Sequence, residues 1–283
     1  MRRPGFTIFE LLVVIVILIL LMTIFLPALT TATGGTKHIA CMGNMRQMSM
    51  GWINYANDNH SQLPNGEGGV WRTRNGVQEV PWVGRCYAGN YSSGGQMPVD
   101  EQVEQIKLGT LWPYIQDIRM YRCPTGMDGE MLTYACMDSM YGRTSGRGNV
   151  YQPGVYISKL FEIPKASQRA LYIDEGWVTP DSYAVYFPRE SWWDDPPIRH
   201  GSGTTIAFSD GHAERWIFEG DDTIAIGEER IRGHPSNRFN PTTEAGCYDL
   251  YKMQIATWGR LDYNPRYPLG IFDLKPTVDD PQP

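Results

Sequence analysis

The chain has 283 residues, a length that suits one large domain or two small ones. Hydrophobic residues make up 42% and charged residues 20%, which is ordinary for a globular protein, and the net charge is −6. Lys and Arg are scattered along the chain, so the composition excludes the basic surface of a nucleic-acid-binding protein.

The first predicted element is a long apolar helix. Residues 6–29 contain one charged side chain, Glu10, and they follow Arg2 and Arg3. As a helix these 24 residues rise about 36 Å, which is enough to cross a bilayer. The two arginines predict a cytoplasmic N-terminus and a translocated C-terminal body, so the sequence predicts a single-pass inner-membrane protein with a periplasmic domain.

Three interpretations of this segment compete. A cleaved secretory signal fits the charged start, but residues 30–32 (Thr-Thr-Ala) are a weak cleavage site. A plain membrane anchor explains the length and leaves Glu10 as an isolated charge, which costs about 2.5–3.5 kcal/mol at mid-bilayer. The third interpretation accounts for Gly5, Phe6 and Glu10 together.

The string PGFTIFELLVV resembles the class III signal of type IV prepilins and type II secretion pseudopilins. In that family a prepilin peptidase cuts after the glycine of a short basic leader and methylates the new N-terminal residue. The resemblance implies a leader at residues 1–5, cleavage between Gly5 and Phe6, and N-methylation of Phe6. A lone carboxylate among apolar residues is costly unless it is paired, so Glu10 is expected to meet the Phe6 amine of a neighbouring subunit.

Residues 30–60 predict an amphipathic continuation of this helix. Gly34 and Gly35 each weaken a helix by about 1 kcal/mol, so we expect a bend or local melting there. Beyond them apolar side chains recur every three or four residues, which predicts one face packed in a core rather than a metal or partner site. These side chains are Ile39, Met42, Met45, Met48, Trp52 and Tyr55.

Further short elements resemble a large set of G-type pseudopilin-like proteins. They cover both sides of the predicted globular body, residues 61–283, and include an H-x9-DG element near its C-terminal side. The matching residues are Cys41, Asn44, Gln47, Tyr55-Ala56, Leu63-Pro64, Trp112, Tyr114, Cys123-Pro124, His200 and Asp210-Gly211. The resemblance implies an α+β fold of the type IV pilin kind, in which a long N-terminal helix, half membrane-spanning and half amphipathic, packs on an antiparallel sheet domain.

Within the body, the alternating run RALYIDEG at 169–176 predicts a strand. The pair Asp210-Gly211 separates two strand-like runs and predicts a hairpin over 204–218 with a type I′ turn, which requires positive φ at both turn positions. The resemblance does not extend to the C-terminal extension, 220–283. We expect one helix in it, with Asn240 as the N-cap.

The five cysteines show no C-x-x-C spacing, so the sequence gives no support for a zinc ribbon or a thioredoxin-type site. Export to an oxidising compartment would allow one or two disulfides, with Cys123 and Cys136 as a local pair. His200 precedes the strand that Asp210 ends, at a separation of about 17–20 Å, so these residues predict no compact metal site. The resemblance allows a structural calcium ion bound by loop oxygens, without a defined ligand set.

The chain carries no G-x-S-x-G, H-E-x-x-H or Walker A motif, and we predict that it is not an enzyme. The resemblance implies a pilin-like subunit of a type II secretion or type IV pilus-like machine, with prepilin peptidase, other pilin-like subunits and the inner membrane as partners. A membrane-anchored periplasmic protein is one alternative. The other is a surface adhesin that binds polysaccharide through tryptophans in predicted loops, which are Trp71, Trp82, Trp192 and Trp193.

Overall fold

The structure, a computed structural model, describes residues 7–88, 95–176, 178, 181–231 and 239–270, without the side chains of residues 24–34 and 230–231. The helices are α1 (Ile8–Asp58), α2 (Val99–Leu108), α3 (Asp221–Ile231) and α4 (Glu244–Trp258). The strands are β1 (Arg72–Arg74), β2 (Val77–Glu79), β3 (Tyr87–Ala88), β4 (Gly95–Gln96), β5 (Tyr134–Cys136), β6 (Ala170–Asp174), β7 (Gly203–Phe208) and β8 (Ala213–Ile217).

The strands form three separate antiparallel sheets. β1 pairs with β2, β3 pairs with β4, and the largest sheet has the order β5-β6-β7-β8. Every residue of β5, β6 and β7 is buried. Since successive side chains of a strand point to opposite faces, both faces of these strands are covered and the core surrounds the four-stranded sheet.

One face of α1 packs against β7 and β8. Cys41, Met45, Met48 and Trp52 on this face are fully buried, which confirms the prediction that the methionine stripe is core packing. Ile39, at the start of the predicted stripe, is instead 67% exposed. The backbone of α1 continues as a helix through Gly34 and Gly35, so the local melting predicted there is wrong.

The predicted fold class is wrong. The strands form three small antiparallel sheets rather than one sheet domain, and several short helices lie between them along the chain. Among the residues that the structure describes, no helix has the length and apolar character needed to cross a membrane. This finding contradicts the predicted inner-membrane, single-pass location.

The predicted hairpin corresponds to β7 and β8, with Thr205 opposite Arg215, but its turn is not of type I′. Gly211 has φ +98°, whereas Asp210 is absent from the positive-φ residues of the described chain. The Gly211 N–H donates to the Phe208 carbonyl at 3.0 Å, the pattern of a type I turn followed by a left-handed glycine. A three-residue loop explains this, because it requires positive φ only at the glycine.

The helix predicted in the C-terminal extension is α4, and its N-cap is Thr243 rather than Asn240. The Thr243 hydroxyl accepts from the Gly246 N–H at 3.0 Å. It also donates to Asp222 of α3 at 2.7 Å, so the same side chain joins the two C-terminal helices. Asn and Thr both cap helices well, and the contact with α3 places the cap at Thr243.

Candidate functional site

Two regions of the described chain are candidates for a function, and the first is the start of α1. The Thr7 hydroxyl accepts from the Glu10 N–H at 3.2 Å, and the Glu10 carboxylate accepts from the Thr7 N–H at 2.8 Å, which forms a capping box. These hydrogen bonds, the backbone one first, lower the pKa of Glu10. Glu10 is therefore ionised at the start of its own helix. The processing residues Gly5 and Phe6 lie outside the described residues.

The spacing Thr-x-x-Glu is the sequence signal of a capping box, and sequence analysis missed it. The resemblance to prepilins predicts only a pairing of this carboxylate with an amine on another subunit. The structure adds a local role, because Glu10 satisfies a backbone N–H that the first turn of a helix leaves without an intrahelical partner.

After Glu10, the segment of α1 up to Met22 is exposed on every side. Fourteen large apolar side chains between Ile8 and Met22 are from 39% to 85% exposed. Twelve of them, from Leu11 to Met22, follow one another without interruption. Since a helix turns by about 100° per residue, such a run leaves no face of this segment against the domain.

The H-x9-DG residues lie at opposite ends of β7. Asp210 and Gly211 form the turn after the strand, where the Asp210 carboxylate contacts the His212 ring. His200 precedes the strand, and its ring is turned into the interior. The structure therefore does not bring His200 and Asp210 together, and the two ends of the element have different surroundings.

The second region is a buried group of four side chains, which we name the donor cluster: Cys41, Cys123, Asp174 and His200. One metal-ligating atom from each lies within 4.8 Å of all the others. His200 Nε2 is 3.2 Å from Cys123 Sγ and 3.2 Å from Asp174 Oδ2. Cys41 Sγ is 3.5 Å from the same carboxylate oxygen.

Four separate elements deliver these side chains. Cys41 lies on the buried face of α1, and Cys123 follows a 3₁₀ turn at Ile118–Tyr121. Asp174 ends β6 and His200 comes shortly before β7. Because β6 and β7 are antiparallel neighbours, the end of one strand meets the start of the other, and Thr204 donates to the Asp174 carbonyl at 2.8 Å.

The electrostatics of the donor cluster favour the charged forms of Asp174, Cys123 and His200 despite burial, and the neutral thiol of Cys41. Burial opposes ionisation of Asp174, but Arg199 and then His200 outweigh it and lower the pKa of Asp174. A hydrogen bond from Cys41, followed by one from His200, lowers the pKa of Cys123 to about 6. Burial opposes protonation of His200, but Asp174 and Cys123 raise its pKa to about 9. Burial, more than any other cause, raises the pKa of Cys41.

The predicted disulfide between Cys123 and Cys136 is wrong. All five cysteines are free thiols, and all are buried. The Cys123 thiol faces His200, whereas the Cys136 thiol donates to the Met140 carbonyl at 3.6 Å. The two side chains therefore serve different parts of the interior, although they are only 13 positions apart in the sequence.

The four loop tryptophans do not form a common surface. Trp82 and Trp192 are 1% and 0% exposed and belong to the core. Trp193 packs under the Arg147 guanidinium, 3.8 Å from the ring centroid, and Trp71 is half-exposed. An aromatic platform for a polysaccharide would need several of these rings at the surface together.

Comparisons of the chain with protein-family models, with curated proteins and with solved structures give no match. The resemblance to pilin-like proteins therefore stays a prediction that rests on the short sequence elements.

Proposed function

We propose that the chain is a pilin-like structural subunit that assembles with further copies of itself through the exposed apolar segment of α1, residues 8–22. In this proposal the subunit belongs to a type II secretion or type IV pilus-like filament, and a prepilin peptidase processes it between Gly5 and Phe6. Its mechanism is assembly rather than catalysis. The observation that carries the proposal is the exposure of this segment on every side.

The all-round exposure favours a bundle of helices as the covering structure. A partner with a single groove would bury one face of the segment and leave the other faces in water. Equivalent helices packed around it would cover all of them, and a helix that is apolar all round is normally buried on every side. Each further copy of the chain supplies one such helix.

Glu10 then has a second task. In the single subunit its carboxylate is bound by Thr7, at 2.8 Å from both the backbone N–H and the hydroxyl. Inside a bundle of apolar helices, a buried carboxylate needs a positive partner. We propose the Phe6 amine of an adjacent subunit as that partner, as the resemblance to prepilins implies.

The proposal is tested by crosslinking the full-length chain in its native cells. Leu12 and Leu21 are 55% and 45% exposed, and they lie on roughly opposite faces of the helix. The double variant Leu12→Cys/Leu21→Cys is expected to give a ladder of oligomers with a bismaleimide reagent. The native thiols give little background because all five are buried.

The matched control is Val77→Cys/Val99→Cys, two exposed apolar positions on the domain at 67% and 47% exposure. It is expected to stay monomeric. Adding Glu10→Ala to the Leu12/Leu21 variant is expected to shorten the ladder, while mass spectrometry still finds N-methylated Phe6 at the mature N-terminus. Equal ladders in test and control, or an intact Met1, would contradict the proposal.

A further inference from the structure

We infer that the donor cluster is a binding site for one divalent transition metal ion of the zinc type, which fastens α1 to the rest of the domain. Two thiols, one imidazole and one carboxylate are all side chains that bind zinc. The inference is independent of the proposed assembly, because it rests on the buried half of α1.

Three of the six distances within the donor cluster are close to those of a tetrahedral site, and all six are within 4.8 Å. With metal–ligand bonds of about 2.0–2.3 Å, tetrahedral coordination places the ligand atoms about 3.3–3.8 Å apart. His200 Nε2 is 3.2 Å from both Cys123 Sγ and Asp174 Oδ2, and Cys41 Sγ is 3.5 Å from Asp174 Oδ2. The side chains therefore need only small movements to take up an ion.

Hydrogen bonding alone leaves this arrangement incompletely satisfied. His200 Nε2 faces a sulfur and a carboxylate oxygen, yet a ring nitrogen carries at most one proton and donates it in one direction. Asp174 Oδ1 is buried and accepts no hydrogen bond from the described residues, and Arg199 Nε stands 3.5 Å away. A metal ion that binds the nitrogen, the carboxylate and the sulfurs removes the competition among them.

Charge balance also favours a divalent cation. Two thiolates and one carboxylate carry three negative charges, and a divalent ion offsets two of them. The Arg199 guanidinium lies beside Asp174 and also 3.7 Å from the buried Glu130 carboxylate, so the two acids share its positive charge. His200 then serves as a neutral ligand. Burying a charged group is costly unless it is paired or binds a metal, and a divalent ion offsets most of the negative charge of these ligands.

The contacts around the donor cluster are those that hold metal ligands in place. The Tyr134 hydroxyl donates to Cys41 Sγ at 3.5 Å, and the Thr125 N–H donates to Cys123 Sγ at 3.4 Å. Donors of this kind stabilise a thiolate and orient it. The His38 ring stacks on His200, with centroids 4.8 Å apart, and restricts the rotation of the imidazole.

The chemistry of the ligands selects the class of ion. Thiolate and imidazole suit zinc and related transition metals, whereas calcium and magnesium take oxygen ligands. Four protein ligands in the interior leave no position for a substrate, so the site is of the closed, structural kind. It joins positions that are 82, 51 and 26 residues apart along the chain, at 41, 123, 174 and 200.

The first test measures metal in full-length protein purified without chelator. Mass spectrometry of the elements is expected to find about one zinc per chain in the wild type. Cys41→Ser and Cys123→Ser are expected to lower zinc affinity more than about tenfold, because loss of a residue that only orients a metal ligand already costs about 10–100-fold and these variants lose a ligand itself. Cys86→Ser removes another buried thiol, outside the donor cluster, and is expected to keep the full zinc content.

The second test keeps the assignment falsifiable where a serine variant fails to fold. Asp174→Cys leaves four metal ligands, three thiols and an imidazole, a set common in structural zinc sites. With cobalt(II) in place of zinc, the wild type is expected to show the visible bands of a tetrahedral thiolate site. In Asp174→Cys the sulfur-to-metal charge-transfer band is expected to grow.

Three results would overturn the inference. They are a wild type that takes up neither zinc nor cobalt, folded serine variants with undiminished zinc, and a Cys41–Cys123 disulfide in freshly isolated protein. An unchanged cobalt spectrum in Asp174→Cys would remove Asp174 from the ligand set.

Discussion

The two ends of α1 differ sharply in the exposure of their apolar side chains. Met22 is 61% exposed among apolar neighbours, whereas Met45, on the same helix, is fully buried in the core. The first end is apolar all round, and the second is apolar on the face that meets the sheet. The same helix therefore serves the fold at one end and offers an apolar surface to other molecules at the other.

The difference teaches that hydrophobic content alone does not indicate where a side chain is buried. The apolar run at residues 8–22 is more hydrophobic than the stretch around Met45, yet it is the exposed one. Burial within the chain follows from periodicity, because a stripe on one face can be covered by one domain. A helix that is apolar all round must find its cover elsewhere.

The comparison predicts its largest difference in the free energy of unfolding between alanine variants of two methionines, Met45 and Met22. Met45→Ala is expected to lower the free energy of unfolding by about 2–5 kcal/mol, since it leaves a cavity in the core. Met22→Ala is expected to change it by less than about 0.5 kcal/mol, as is usual at the surface. Urea unfolding of dilute, unassembled protein measures both. Similar losses in the two variants would mean that the exposed end also contributes to the fold.

Two carboxylates sharpen the comparison through pH. Thr7 lowers the pKa of the exposed Glu10, whereas burial raises the pKa of Asp249 to about 6, although the Gly220 and Glu219 N–H groups favour its charged form. In an unfolded chain the pKa of Asp249 is near 3.9, about the model-peptide value, so the folded state binds this proton more tightly. The bound proton therefore stabilises the folded state below about pH 4, and this stabilisation is lost as the pH rises through about 6.

The variant Asp249→Asn removes that titration and keeps an acceptor for the two N–H groups. Its stability relative to the wild type is expected to rise by about 2–3 kcal/mol between pH 4 and pH 7, at about 1.4 kcal/mol per unit of pKa shift. Urea midpoints measured across this range provide the check. A difference that stays constant with pH would show that Asp249 titrates normally in the folded protein.

The smallest effect on the free energy of global unfolding is expected at the start of α1. Thr7→Ala removes the capping box and is expected to destabilise the first turn by about 0.5–2 kcal/mol, seen as faster amide hydrogen exchange there. The urea midpoint is expected to stay unchanged, because this end does not pack on the domain. Thr7→Ser keeps the cap and serves as the control. A lower midpoint in Thr7→Ala alone would couple the exposed end to the core.

Local patterns in the sequence predicted the local features of the fold. The stripe of Met45, Met48 and Trp52 was predicted as core because helical periodicity is visible within a few turns. The hairpin of β7 and β8 was signalled by Asp210-Gly211, but the pair does not fix the loop length, so the turn type was wrong. The division of the strands into three sheets depends on long-range pairing, which periodicity does not report.

The donor cluster was out of reach for the same reason. Its members are far apart in the sequence, and none stands in a short metal-binding motif. Sequence analysis compared His200 with Asp210, on the same strand connection, and correctly separated them. The missing information was that β6 lies beside β7 in antiparallel fashion, which brings the end of the strand at Asp174 to His200.

Cys41 is the first fully buried side chain of α1 among those the structure describes, so the helix enters the domain at this point. Tension applied along the exposed end of α1 therefore reaches the interior first at Cys41. At Cys41 the helix contacts side chains from three other segments of the chain. We expect these segments to share the force, so that the helix does not separate from the sheet one turn at a time.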